Sequence, residues 1–313
     1  MILEDTSKLK GKVLAVVGLC KNAGKTTVLN AVLDDIYSQE ALIFPGITSI
    51  GRDGETVDLA TGTEKPRIFV REGSIIATAA DLLRSCDITA EVLMSTGFTT
   101  PLGSVYIIRA RSGGWVQLGG PSIVSQMERL EKDMLILGAD CVLVDGAAGR
   151  RSPGNGTSAD YAILASGASL GRNIDEVVRQ TAFTAELMQL PVWETNCAES
   201  GTPEDWESAE HNAELMLPGA VTDSVLLEAA AGSRPPSAVI ADDPSKLLFS
   251  YTAYEKFLRT GSKLYVKTRP QLLAVTVNPV STGGWRFDSD EFLEKTAGKL
   301  SVPVIDVVRN IKA

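Results

Sequence analysis

The sequence predicts an α/β protein built on a doubly wound, mostly parallel sheet. Three observations predict it. Val13–Val17 is a short β-branched apolar run closed by Gly18, then Gly24-Lys25-Thr26, then a helical pattern. A second apolar run, Cys141–Val144, ends in Asp145-Gly146. Strand-like and helix-like segments alternate from residue 122 to residue 308, the order that builds parallel sheets from βαβ units.

The first stretch carries the most chemistry. Val28, Leu29, Val32, Leu33 and Ile36 recur at three- and four-residue spacing, so Thr26–Tyr37 reads as a helix with one buried face. The loop before it has backbone N–H groups to aim at an anion, and the helix dipole favours negative charge there. Gly18, Lys21, Asn22, Ala23, Gly24, Lys25, Thr26 and Thr27 are the candidate nucleotide-binding residues. Lys25 would reach the outer phosphates, and the Thr26 hydroxyl would ligate Mg²⁺. Five residues separate Gly18 from Gly24 instead of the usual four, and Leu19 stands where the first glycine normally falls. The plain alternative is a strand–turn–helix with an incidental Gly-Lys-Thr. Cys20 reads as a small loop residue or as a thiol activated by the helix N-terminus.

After the first helix, Ala41–Phe44 and Gly46–Ile50 look like strand pieces broken by Pro45. Asp53, in the polar loop Gly51–Glu55, is a candidate metal carboxylate with Glu55 in reserve; the other reading is an Asp-Gly turn. Residues 66–120 form a β-rich insertion, with strands at 66–70, 91–94, 104–109 and 113–118 and a helix at 77–83. Arg109 and Arg111 share a strand face, as an anion-binding pair or as a salt-bridged surface. Ser122–Leu137 is a helix, with Ser122 as its cap.

Asp145 would lie at the carboxyl end of a parallel strand, facing the phosphate loop and holding Mg²⁺. The next unit is a strand at 159–165, a small-residue loop at 166–172 with Ser166 and Ser169 as candidate substrate contacts, and a helix at 175–190. The strand Leu272–Val277 ends in Asn278-Pro279, either a reader of a purine edge or a terminating turn. Residues 1–195 read as the nucleotide-binding core. Residues 196–313 read as an α/β part that extends the same sheet or forms a small second subdomain.

Composition narrows the functions. A net charge of −9 without basic runs leaves no electrostatic footprint for nucleic acid. No run reaches the ~18 apolar residues of a membrane span. The start, Met-Ile-Leu-Glu-Asp-Thr, lacks the basic and apolar regions of a signal peptide, so a cytoplasmic location is expected. Cys20, Cys86, Cys141 and Cys197 form no Cys-x-x-Cys pair, and with His211 the single histidine no zinc pattern is present.

The loop Gly18-Leu-Cys-Lys-Asn-Ala-Gly-Lys-Thr-Thr27 with Asp145-Gly146 resembles the P-loop NTPases of the dethiobiotin synthetase branch, which includes ParA/MinD-type ATPases. It departs from them at Leu19, where the ParA signature has lysine, and at Ile47–Asp53, where dethiobiotin synthetase has a Lys-Pro element. Three stretches are most similar to the ATPase subunit of the reactivating factor for lysine 5,6-aminomutase and ornithine aminomutase: Cys20–Thr27, Thr48–Glu55 and Leu164–Arg172. The resemblance implies ATP and Mg²⁺ as cofactors. Lys25, Asp145 and Asp53 are then the catalytic residues, and Thr26, Asp53 and Asp145 the metal ligands. The implied partners are a cobalamin/PLP aminomutase and a second reactivase subunit, and a homo-oligomer is expected. No Asp-x-His-x-x-Gly cobalamin motif occurs, so the mutase would carry that cofactor. No Asn-Lys-x-Asp guanine motif occurs either, which favours ATP over GTP. Two other readings stand beside this one: a small-molecule ligase or kinase of the dethiobiotin synthetase type, and a nucleotide-binding scaffold without turnover.

Overall fold

The computed structural model describes residues 1–39, 43–51, 67–147, 159–194, 199–200, 214–232 and 235–313. In the first half, β1 (Val13–Gly18) leads to α1 (Lys25–Ser38) and β2 (Pro45–Ser49). Then come β3 (Ile68–Val70), β4 (Ile75–Ala79), α2 (Ala80–Leu83), β5 (Ala90–Thr100), β6 (Gly103–Ala110), β7 (Gly114–Val116), α3 (Val124–Ile136) and β8 (Cys141–Ala147). In the second half, β9 (Tyr161–Gly167) and α4 (Ile174–Met188) precede β10 (Glu199–Ser200), β11 (Glu214–Leu217), β12 (Val221–Thr222) and α5 (Asp223–Ala231). The chain closes through β13 (Ala238–Ala241), β14 (Leu247–Leu248), α6 (Tyr251–Leu258), β15 (Lys263–Val266), β16 (Gln271–Asn278), α7 (Ser289–Ala297), β17 (Val304–Asp306) and β18 (Ile311–Lys312).

Ten strands form the main sheet in the order β18-β17-β16-β9-β1-β8-β2-β4-β6-β5. From β17 to β4 every neighbour is parallel. β6 runs antiparallel to both β4 and β5, and β18 to β17. The molecule is thus mixed α/β with a large, mostly parallel central sheet. β1 is buried along its whole length and its side chains alternate between two helical layers. Leu14 and Val16 pack with Val28, Leu29, Val32, Leu33 and Ile36 of α1. On the other face, Val13 meets Met127, Leu130 and Met134 of α3, while Ala15 and Val17 meet Val177 and Met188 of α4 and Phe292 of α7. Burying each such Val or Leu contributes about 1.5–3 kcal/mol.

Residues 196–313 do two things. β16, β17 and β18 extend the main sheet, while β10, β11, β13 and β15 make a separate four-stranded sheet. The insertion likewise splits: β4, β5 and β6 finish the main sheet, and β3 pairs with β7 in a small two-stranded sheet.

Several local expectations are corrected. Pro45 opens β2 instead of breaking it; as the first residue of the strand it is not asked for a ladder N–H in mid-sheet. The stretch expected to be helical from residue 77 is strand through Ala79, because a fully buried five-residue run fits a sheet centre; only Ala80–Leu83 is helical. Ser122 does not cap α3, whose N-cap position is Ile123 without a side-chain bond. Asp53, Glu55, Cys197 and His211 lie outside the described residues.

Candidate functional site

β1 lies between β8 and β9, so the chain leaves β1 toward one side of the sheet and crosses to the other after β8. In open α/β sheets such a divergence leaves a crevice at the carboxyl ends of the strands. Five connections meet there: the loop from Gly18 to Lys25, the end of β2, the end of β8, and the turns after β9 and β16.

The glycine-rich loop is set by its backbone. Leu19 N donates to Ala165 O at 3.0 Å, which carries the β1–β9 ladder one residue past Gly18. Asn22 and Gly24 both adopt positive φ, at 62° and 98°. Gly24 is the N-cap residue of α1 and brings no side-chain cap, so the first helical N–H groups face the loop. Ala23 is buried in the α1-side core. Lys25 folds back over the strand end, where its Nζ donates to Cys20 O at 3.4 Å. That path needs Gly18: a Cβ there would come within 2.8–2.9 Å of the Lys25 side chain.

Asp145 closes the other side. Thr26 Oγ1 donates to Asp145 Oδ2 at 3.4 Å, while Asp145 Oδ1 is buried without a partner among the described residues. A β-bulge at Gly146, with φ 86°, interrupts the β1–β8 register directly after Asp145, a device that re-aims a side chain. Burial pushes the Asp145 carboxyl above its usual range, against the pull of Lys25 and the Thr26 hydroxyl. Burial also pushes the Lys25 ammonium below its usual range, against the pull of Asp145. Mutual attraction therefore does not fully offset the desolvation of either charge. Phosphate oxygens beside Lys25 and a cation beside Asp145 would restore both.

The site is walled by the small-residue loop after β9 and by residues 281–285 after β16. Asn22 Nδ2 donates to Thr282 Oγ1 at 3.2 Å. Ser169 Oγ donates to Ser281 Oγ at 3.4 Å, and Trp285 Nε1 donates to Ala168 O and Gly171 O. The Arg172 guanidinium lies over the Trp285 ring, 4.9 Å from its centroid. Asn278 follows the turn reading: its Oδ1 accepts from Val280 N at 3.1 Å, and its side chain sits against Gly24. Pro279 is buried, and its carbonyl accepts from Phe287 N. Asn278 thus supports the glycine-rich loop. Gly167 belongs with it, since a Cβ there would meet Asn278 and Ala23 at 3.1–3.4 Å.

Lys21 and Thr27 are exposed at the rim. Ser166 is turned inward, its Oγ 2.6 Å from Thr181 Oγ1, and is not a substrate contact. Arg109 and Arg111 do not reach the site. Arg109 is the register partner of Ile75, the first residue of β4, and so stands at the opposite edge of the sheet. Both guanidinium groups face Glu91, at 3.8 and 2.5 Å, so the salt-bridged surface is what forms. Burial pushes the Cys20 thiol up, with Lys25 opposing, which leaves it unactivated. Thr282, Ser281 and Trp285 are not anticipated from sequence, nor is the place of Ser49, which comes to this edge as the register partner of Asp145. Period-two alternation from Ile47 would have put it on the Asp145 face.

A groove of about 1120 Å³ lies elsewhere, between α4, α6 and α7. Most of its charged side chains are engaged, Lys295 with Asp175 and Glu291, Arg179 with Glu176, and Glu186 with Tyr254, while Lys299 also lines it. The edge around Lys25 and Asp145 has unpartnered buried oxygens instead, and we take it as the site. Comparison with protein-family models, with curated proteins and with solved structures returned no match. Among the described residues, no helix is long and apolar enough to cross a membrane.

Proposed function

We propose that this edge binds ATP with Mg²⁺ and cleaves its terminal phosphate, as in P-loop NTPases. The observation that carries the reading is the meeting of Lys25, Thr26 and Asp145 Oδ1 where β1 lies between β8 and β9. The donor set suits the cation. Mg²⁺ takes hard oxygen ligands, uses one or two carboxylates, and keeps waters and substrate phosphates for the rest. Among the described residues no group of three or more His, Cys, Asp or Glu side chains forms that could hold a metal by itself.

In this reading the N–H groups of residues 22–26 receive the phosphates, with Lys25 on the β- and γ-oxygens. Thr26 Oγ1 and Asp145 hold the metal, and Asp53 stays a candidate third ligand. A Mg²⁺ held there would supply positive charge beside the β- and γ-phosphate oxygens, while Lys25 and the loop N–H groups orient the phosphates for transfer of the γ-phosphoryl group to water, which gives ADP, inorganic phosphate and a proton. Lys25→Ala should abolish ATP turnover, measured as phosphate release, while the circular dichroism melting curve stays that of a folded chain. Unchanged turnover would sink the reading.

The resemblance of residues 20–27, 48–55 and 164–172 to an aminomutase reactivase makes an adenosylcobalamin-dependent aminomutase the partner to test. Capture from source cells with ATP should recover such an enzyme. Turnover that depends on a metabolite would point to the ligase reading, although that reading has lost Arg109 and Arg111 as its anion-binding pair.

A further inference from the structure

Among the described residues, two adjoining strand ends, of β8 and β2, carry buried side-chain oxygens with no hydrogen-bond partner: Asp145 Oδ1 and Ser49 Oγ. Ser49 is the last residue of β2 and the register partner of Asp145 on β8. Neighbouring strands lie about 4.8 Å apart, and register partners of a parallel pair leave the sheet on the same face. That face belongs to α1. Ile47 and Leu143, each two residues earlier, pack with Val28 and Leu29. Thr26, at the start of the same helix, reaches Asp145 from above.

Ser49 is also held firmly. Ile50 N donates to Asp145 O at 3.0 Å and Gly51 N to Pro121 O at 3.0 Å, so the strand end is pinned on both sides. Gly120 packs so closely that a Cβ there would collide with the Ser49 carbonyl. At 7% exposure the Ser49 side chain has little access to bulk water, and a buried hydroxyl without a partner is costly. Its neighbour Thr48, which points to the other face of β2, is satisfied, donating to Ala77 O at 3.1 Å.

We propose that Ser49 binds a water in the coordination shell of a divalent cation that Thr26 and Asp145 hold, and so sets the affinity of the site for that cation. This rests on the nucleotide reading above. A hydroxyl can accept from a metal-bound water and donate onward to a carboxylate or phosphate oxygen, which satisfies Ser49 Oγ and Asp145 Oδ1 together.

The test uses Mn²⁺ as probe, titrated by electron paramagnetic resonance into the full chain with a non-hydrolysable ATP analogue. Ser49→Ala should weaken Mn²⁺ binding about 10-fold, as loss of such supporting contacts does. That loss should exceed any change in metal-free analogue binding. Metal-free Ser49→Ala should melt at or above the parent temperature, because an unpartnered hydroxyl is gone. Ser49→Cys keeps the shape but is a poor acceptor, and should weaken Mn²⁺ as well. Parent-like Mn²⁺ affinity in both variants overturns the proposal. A parent protein that binds no analogue at all overturns the nucleotide reading instead.

Discussion

At the scale of residues, burial decides more than pairing does. Lys25 and Asp145 attract each other, yet burial pushes the first down and the second up. A buried pair of this kind contributes little stability by itself. Cys141 shows the same force without any function. It is fully buried at the start of β8, and burial pushes its thiol up to about 12. The unfolded chain releases that proton near the ordinary value of 9.0, while the folded chain keeps it until about 12. Between those pH values the folded state holds more protons, so stability falls as pH rises, by about 1.4 kcal/mol per pH unit for one group. Urea midpoints across that range should fall less steeply for Cys141→Ala than for the parent. Equal slopes would show that the thiol does not titrate as its burial implies.

At the scale of elements, the site depends on two strand ends and one helix start. α1 begins with a left-handed glycine in place of a capping side chain, whereas α4 and α7 begin with Asn173 and Asp288, which accept from their own helical N–H groups. Gly24→Ala should cost about 1–2 kcal/mol, because φ 98° is strained for any residue with a Cβ. Crowding adds little, since the nearest Asn278 atom would be 3.6 Å away. Urea denaturation measures that loss, and a cost near zero would mean that the loop relaxes out of the left-handed form. Such local rules explain what was legible beforehand. β1, α1, β8 and the Lys25–Thr26–Asp145 set follow from short-range pattern, because each carries its own period and its own turn residue. What was not legible depends on register. Ser49 acquires meaning only as the partner of Asp145 across two strands nearly a hundred residues apart, and Asn278 only by lying against Gly24. Sequence order also hid that Arg109 stands at the far edge, since that follows from β6 running antiparallel.

At the scale of the molecule, the question is how the second sheet is tied to the first. α4 serves both. Val177, Val178, Ala185 and Met188 pack into the core of the main sheet, while Leu187 and Leu190, on α4 and just past its end, join a separate core with Leu226, Tyr254, Phe257 and Val266. Val192 then bridges Val266, and Trp193 N donates to Val266 O at 2.8 Å, so the chain passes straight from one sheet's helix to the other sheet's edge. β15 returns through Lys267–Pro270 to β16, which sits beside β9 at the site. The two cores share one helix and these short connections, so loosening the shared helix on one face should affect the sheets unequally. Leu187→Ala should cost about 2–5 kcal/mol, as truncation of a buried leucine does. That loss should fall on the second core. Amide hydrogen exchange reads this directly: β13 and β15 should lose protection while β1 and β9 keep theirs. Equal acceleration in all four strands would mean that the chain opens as one cooperative unit, with α4 a rigid link between the two cores.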